Sequence, residues 1–465
     1  MICCCDFAIL SLYLVLEHPL MSERLAQQRA ELEQAVGRAL EEAAKLGLDG
    51  AEVAVQKQQG LSVSTRLGEV ETVEFNKDGA LGISVYRDGC KGNASTSDLS
   101  ADAIRAAVQA AATIASQTSA DQYNGLAEAA QMATEIGDLD LYHPYDIDPQ
   151  QAVALAARAE QAAMAADKRI VNSDGATLNS HESLKVYGNS HGFIGSGLSS
   201  RHSLSCVAIG QDEQGMERDY DYTVARRFED MLTPEQVGHQ AGLETAARLG
   251  ARKIDTCNVP VLFSAAQSVG LISHLIGAIS GASLYRNASF LTDSLEQQLF
   301  PEWFAIEENP HIKGALASAY FDGEGVATQR RQIIEAGVLK TYLLTAYSAR
   351  RLKMTNTGHA GGIYNWQVNR NGGDLKAMLK QLDRGLYVTD LMGHGVNGVT
   401  GDYSRGAAGF WVENGEIQFP VHEITIAGNL KTMYRNMVAM GSDVDPRHSL
   451  AAGPILLESM KVAGN

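Results

Sequence analysis

The chain has 465 residues, which at roughly 100–200 residues per domain means two or three domains or one elaborate one. Hydrophobic residues make up 45% and charged residues 20%, which excludes a disordered chain. The 38 basic and 55 acidic residues give a net charge of −17, which excludes a nucleic-acid coat and a protein built to lie on an anionic membrane.

The six cysteines form no framework. Cys3, Cys4 and Cys5 are adjacent, while Cys90, Cys206 and Cys257 are scattered, with no Cys-x-x-Cys pair. The pattern suits a reducing compartment, and a cytoplasmic protein is expected. A metal reading of the triplet needs further ligands, and only His18 is near.

Phe7 to Leu16 are nearly all apolar, but a transmembrane helix needs about 20 such residues. The basic start and small-residue cleavage site of a signal peptide are both missing. Met21-Ser22-Glu23 then opens an amphipathic stretch. The expectation is that Met21 is the natural start and that residues 1–20 are a non-native or disordered extension. No other stretch is apolar enough to span a bilayer.

Leu25, Leu32, Val36, Leu40 and Ala43 have helical spacing, stopped by Gly47. The period then changes to two. Val53 and Val55, then Leu61, Val63 and Thr65, then Val70, Val73 and Phe75, then Leu81, Ile83 and Val85 read as strands, with Gly68 and Asp78-Gly79 as turns. Helices are expected from Ala101 to about Ser116 and from about Pro149 to Ala166, with a polar connector over 117–148. Residues 168–230 read as short strands broken by glycine. Thr233-Pro234-Glu235-Gln236 is a capping box that starts a helix running to about Gly250.

From Val259 the sequence is strand-like and rich in glycine, with few helices. Asn414-Gly415 between Trp411 and Ile417 is a hairpin signal, because both residues accept the positive φ of a type I′ turn. The fold class expected is α+β, with an N-terminal α+β part over 21–250 and a C-terminal β-dominated part, barrel- or sandwich-like, over 251–465.

Most catalytic signatures fail on context. Gly188-Asn189-Ser190-His191-Gly192 has the nucleophile-elbow pattern, but no helix follows it, so a glycine-bearing turn is expected. Gly393-His394-Gly395-Val396-Asn397-Gly398 has the dinucleotide pattern, but Val399-Thr400-Gly401 resists the helix that such a site requires. His422-Glu423 lacks a second histidine one turn on and sits among β-branched residues, which favour a strand. Asp322-Gly323-Glu324-Gly325 lacks a third acidic ligand at loop spacing, so a solvated turn is expected.

Val259 to Phe263 reads as a buried strand, leading into a helix, small and apolar on nearly all sides, from Ser264 to Gly281. His274 lies alone in that helix, where a hydrogen-bonded core residue is the ordinary reading. This strand–helix resembles the TldD/PmbA family of zinc peptidases. Thr357 to Gly362, Thr400 to Gly415, Glu423 to Leu430 and Met460 to Gly464 resemble the same family, and the resemblance runs from about Met21 to the end. It is strongest to the PmbA branch, also called TldE.

In the TldD branch the helix carries His-Glu-x-x-x-His. The two histidines and a later cysteine hold zinc, and the glutamate is the general base. The matching positions here are Ser273, His274 and Ala278, with Gly277 kept, and no cysteine occurs after Cys257. The resemblance therefore implies a chain with no catalytic residue, no cofactor and no metal of its own. Zinc is expected in a TldD-type partner subunit. PmbA-type proteins are implied to be the metal-free half of a heterodimeric peptidase that degrades unfolded peptides, removes the leaders of peptide antibiotics and turns over antitoxins, with a link to DNA gyrase. A peptide could be held as an added strand. Two other readings stay open. One is a stand-alone metallopeptidase using His359, His394 and His422; the other is a non-catalytic peptide-binding homodimer.

Overall fold

The computed structural model describes residues 24–464, so the extension at 1–20 and the cysteine triplet lie outside the described residues. A 3₁₀ turn over Leu25–Gln28 leads into α1 (Arg29–Lys45), which buries Leu32, Ala35, Val36, Ala39 and Ala43. Gly47 follows with φ +62°, the left-handed conformation that ends a helix.

Three strands follow: β1 (Gly50–Arg66), β2 (Glu69–Arg87) and β3 (Cys90–Thr96). Next come α2 (Ala101–Ala115), α3 (Pro149–Ala166), β4 (Ile170–Asn189), β5 (Ile194–Gln211), β6 (Met216–Ala225) and α4 (Pro234–Arg248). The six strands form one antiparallel sheet in the order β3-β2-β1-β4-β5-β6. Its strands are longer than the glycine punctuation suggested. Asp78 and Gly79 make no turn; they pair with Gln58 and Lys57 in mid-strand. Gly60, inside β1, is there for proximity, since a Cβ on it would lie 2.2 Å from the Ser180 carbonyl oxygen.

Val53, Val55, Leu61 and Val63 share one face of β1 and divide their cover between two helix pairs. Val53 and Val55 pack with α1 and α2, Leu61 and Val63 with α3 and α4. The α3–α4 contact is close because it is made of small residues, Ala156, Ala159 and Ala163 against Gly238, Ala241 and Gly242.

The second half begins with β7 (Cys257–Phe263), α5 (Ala265–Ala278) and α6 (Gly281–Tyr285). It continues through β8 (Ile306–Glu308), β9 (Arg331–Glu335), β10 (Val338–Leu339), α7 (Ala346–Leu352), β11 (Trp366–Val368) and α8 (Leu375–Leu382). It ends with β12 (Gly385–Met392), β13 (Asp402–Glu413), β14 (Glu416–Asn429), α9 (Leu430–Arg435), β15 (Met437–Met440), β16 (Leu450–Ala451) and β17 (Ile455–Ala463). Strands β14-β13-β12-β7-β17 are neighbours in that order, and β17 pairs back onto β14, which closes a five-stranded barrel. The β13–β14 turn has φ +56° at Asn414 and +73° at Gly415, as the Asn-Gly signal requires. A separate sheet runs β10-β9-β8-β11-β16.

Short helices are more numerous here than the sequence suggested. Asp374 caps α8, its Oδ1 accepting from the Ala377 amide at 2.9 Å. Along β7 the side chains alternate: Val261 and Phe263 join the large core that contains α5, and Leu262 faces α8. The connector over 117–148 binds the second half, with Arg350 Nη1 donating to the carbonyls of Tyr123 and Gly125.

Candidate functional site

Strand β7 delivers α5 to the wall of a cleft. Ser264 caps the helix, its Oγ accepting from the Gln267 amide at 3.4 Å. Ser268 ties the next turn into the barrel by accepting from the Ile455 amide at 3.0 Å. Leu271, Ile272, Leu275 and Ala278 are buried, whereas Ser273 and Gly277 are exposed. The helix is therefore amphipathic rather than buried all round, and it ends at Ala278. Its exposed side lines a cleft of about 390 Å³. The facing wall carries Gly393, His394 and Val396 from the β12–β13 loop and Arg405 from β13. The dinucleotide-like glycines thus shape a cleft wall with no helix behind them.

The three positions that would carry the zinc chemistry offer a poor donor set. Ser273 Oγ donates to the Val269 carbonyl at 2.7 Å, within its own helix. Ala278 has only a methyl group. A catalytic zinc site needs about three protein ligands and an open position. Among the described residues no group of three or more His, Cys, Asp or Glu could hold a metal ion. The residues at this site do not fit zinc.

His274 is not the hydrogen-bonded core residue that its lone position suggested. It is half-buried, edge-on to Tyr403 with ring centroids 6.0 Å apart, and its Nε2 is buried without a partner. Burial, and then the charge of Arg405, push its pKa down, so the ring is neutral at pH 7. Burial pushes the Tyr403 hydroxyl up to about 12, a rise that the nearby Arg405 opposes. The Tyr403 hydroxyl and Arg405 Nε are buried as well, with the two side chains within hydrogen-bonding reach of each other.

The other candidate histidines are dispersed. His359 is buried, with Nε2 2.9 Å from Glu308 Oε2 and Nδ1 2.8 Å from Thr357 Oγ1. His394 is exposed on the cleft rim. His422 lies on β14 with Nδ1 3.3 Å from Glu217, and its neighbour Glu423 pairs with Lys253 at 2.6 Å. Ser190 sits in the β4–β5 turn, its Oγ accepting from the Ala51 amide at 3.1 Å, and no helix follows.

The Asp322–Gly325 turn is only partly solvated: Asp322 and Gly325 are buried, Glu324 is half-buried and Gly323 is exposed. The Asp322 carboxylate accepts from the amides of Glu324, Val326 and Ala360 at 2.8–2.9 Å. Gly325 has φ +78°, and a Cβ there would lie 2.9 Å from the Tyr187 ring, so the turn is pressed onto the first sheet. That long-range contact has no local signature. Tyr403 and Arg405 likewise have no local signature. They lie in one of the recognised strings, but no spacing rule marks a tyrosine and an arginine two apart on a strand.

Three family models cover most of the chain. A PmbA/TldA metallopeptidase domain 1 matches residues 51–115, the central domain 142–249 and the C-terminal domain 256–464. The chain belongs to the PmbA/TldD metallopeptidase family. It is 54% identical over 437 residues to the metalloprotease PmbA of Escherichia coli O157:H7, an alignment covering 94% of this chain and 97% of that one. It is 56% identical over 442 residues to a metalloprotease PmbA homologue of Haemophilus influenzae, covering 95% and 98%. The crystal structure of a Bacteroides thetaiotaomicron protein, described as a candidate modulator of DNA gyrase, superposes with a TM-score of 0.88 at 26% identity, over 94% of this chain and 99% of that one. The α+β class with a C-terminal barrel and the PmbA-type resemblance both hold. Among the described residues no helix is long and apolar enough to cross a membrane.

Proposed function

We propose that this chain is the non-hydrolytic, PmbA/TldE-type subunit of a two-subunit zinc peptidase. Its partner is a TldD-type subunit that carries the zinc, and the pair cleaves unfolded peptides, such as leaders of peptide antibiotics and antitoxins. The observation that carries this reading is the side chains at the ligand positions, with Ser273 tied to its own helix and Ala278 a bare methyl. The likeness to PmbA proteins over nearly the whole chain supports the branch. The relatives are named metalloproteases, and in this reading the metal of the pair resides in the partner.

We also propose that 21–250 and 251–465 are the two structural units, since the six-stranded sheet falls wholly in the first and the barrel wholly in the second. The unpaired thiols of Cys90, Cys206 and Cys257 support a cytoplasmic setting. Any link to gyrase runs through peptides, given the net charge of −17.

Metal analysis of the purified full chain tests the reading. After loading with zinc and dialysis, well under one zinc per chain is expected. One tightly held zinc per chain would overturn it in favour of a stand-alone peptidase.

A further inference from the structure

The cleft over α5 concentrates unmet hydrogen-bonding capacity. His274 Nε2 is buried without a partner where α5 faces β13, beside Arg405 of the cleft wall and the buried Tyr403, whose hydroxyl lies against the Arg405 side chain. A buried polar atom without a partner costs stability, so His274 Nε2 beside a guanidinium calls for a ligand. Both cleft residues can donate. The Arg405 guanidinium does so as it stands, and His274 does so in the tautomer with its proton on Nε2.

The charge of the site has one sign. Arg405 donates from Nη2 to the Leu391 carbonyl at 3.2 Å, and among the described residues no carboxylate pairs with it. No Asp or Glu lines the cleft, although the chain carries 55 of them. A half-buried guanidinium flanked by neutral donors selects an anion, and its planar fork suits a carboxylate.

The cleft also carries the neutral hydroxyls of Ser273 and Ser283 and the rim His394. Phe290, Val396, Leu430 and Ala278 line it beside the polar corner. Its volume of about 390 Å³ is within the usual range for a ligand site and exceeds what a small inorganic anion fills. A terminal residue with its side chain on Phe290 and Leu430 would occupy it.

We propose that this cleft binds the free C-terminal carboxylate of a peptide, with Arg405 and His274 as the carboxylate's donors, Tyr403 buried behind them, and the Phe290–Leu430 wall as the seat of the last side chain. The structure has then turned the position of a metal centre into a terminus-binding site. The inference concerns this chain alone and does not depend on its pairing with a zinc subunit.

Calorimetric titration of the full chain with N-acetyl-alanyl-leucine tests it, run against the same dipeptide as its C-terminal amide and against inorganic phosphate. The acid is expected to bind, the amide to bind at least tenfold more weakly, and phosphate not to displace the acid at equal concentration. Arg405→Gln is expected to weaken the acid at least tenfold and to leave the amide unchanged. Equal binding of acid and amide, binding of neither, or displacement by equimolar phosphate would each overturn the proposal. The acid–amide comparison needs no variant, so it stands even if Arg405→Gln folds poorly.

Discussion

His359 Nε2 lies 2.9 Å from Glu308 Oε2, and both side chains are dry, at 1% and 0% exposure. Glu308 also accepts from the Tyr364 amide at 2.9 Å and from Trp366 Nε1 at 3.0 Å, with Arg331 3.6 Å away. This carboxylate organises the sheet that holds β8 and β11, and it occupies a histidine that sequence alone left open as a metal ligand. Removing one member of such a buried set strands the others. Glu308→Ala is expected to cost about 3–5 kcal/mol in chemical denaturation. His359→Gln should cost about 1–3 kcal/mol and leave the zinc content of the chain unchanged. A fall in bound zinc with His359→Gln would restore the stand-alone reading.

Glu324, in the second half but close enough to Glu52 of the first sheet to feel its charge, makes the fold sensitive to pH. It accepts from the Ala346 amide at 2.8 Å and from Asn356 Nδ2 at 3.2 Å. Burial pushes its carboxyl up to about 7 from an ordinary 4.5; the hydrogen bonds oppose this, and Asp322 and Glu52 reinforce it. The folded chain thus keeps this proton to higher pH than the unfolded chain does. The contribution of Glu324 to stability is greatest below about 4.5 and falls as pH rises from 4.5 to 7. Glu324→Gln is therefore expected to raise the melting temperature at pH 8 relative to the parent, by the equivalent of about 1–3 kcal/mol. At pH 4.5 the two should melt within about half a kcal/mol of each other. Equal stabilisation at both pH values would show that the proton is not held.

A glycine pair tests the packing of the helices. A Cβ on Gly238 in α4 would lie 1.9 Å from the Ala159 carbonyl oxygen of α3, a clash of backbone with side chain that nothing flexible can relieve. Helix propensity alone favours alanine over glycine by about 1 kcal/mol. The clash should outweigh it, so Gly238→Ala is expected to destabilise by about 1–3 kcal/mol. Gly37 in α1 has nothing within 4 Å of an added Cβ. Gly37→Ala should instead stabilise by about 0.5–1 kcal/mol. Melting of both variants beside the parent would show the opposite signs.

The sequence was legible where structure is local. The capping box at Thr233 and Gln236 forms with both of its hydrogen bonds, 3.3 and 2.9 Å, and the Asn414-Gly415 turn takes its positive φ angles. Ser273 and Ala278 could be read from residue identity alone, because a methyl group cannot bind a metal in any fold. Failures came where distant segments decide. Asp78-Gly79 carries a turn signature, yet pairing with β1 runs through it. The Asp322–Gly325 turn is polar in sequence, yet Asp322 and Gly325 are buried in space, with Tyr187 of β4 and Phe193 of the β4–β5 turn packed on Gly325. The barrel is closed by Thr425–Ala427 meeting Lys461–Ala463, a pairing that no periodicity reveals. The carboxylate cleft likewise exists only once β13 is laid beside α5.

Reconstitution reaches the central claim. An unfolded peptide is incubated with the purified full chain, with a zinc-loaded TldD-type subunit, and with the two together, and cleavage is followed by mass spectrometry. Cleavage by the mixture and none by this chain alone, with or without added zinc, is the predicted result. Zinc-dependent cleavage by this chain alone, abolished by a chelator and restored by zinc, would contradict it.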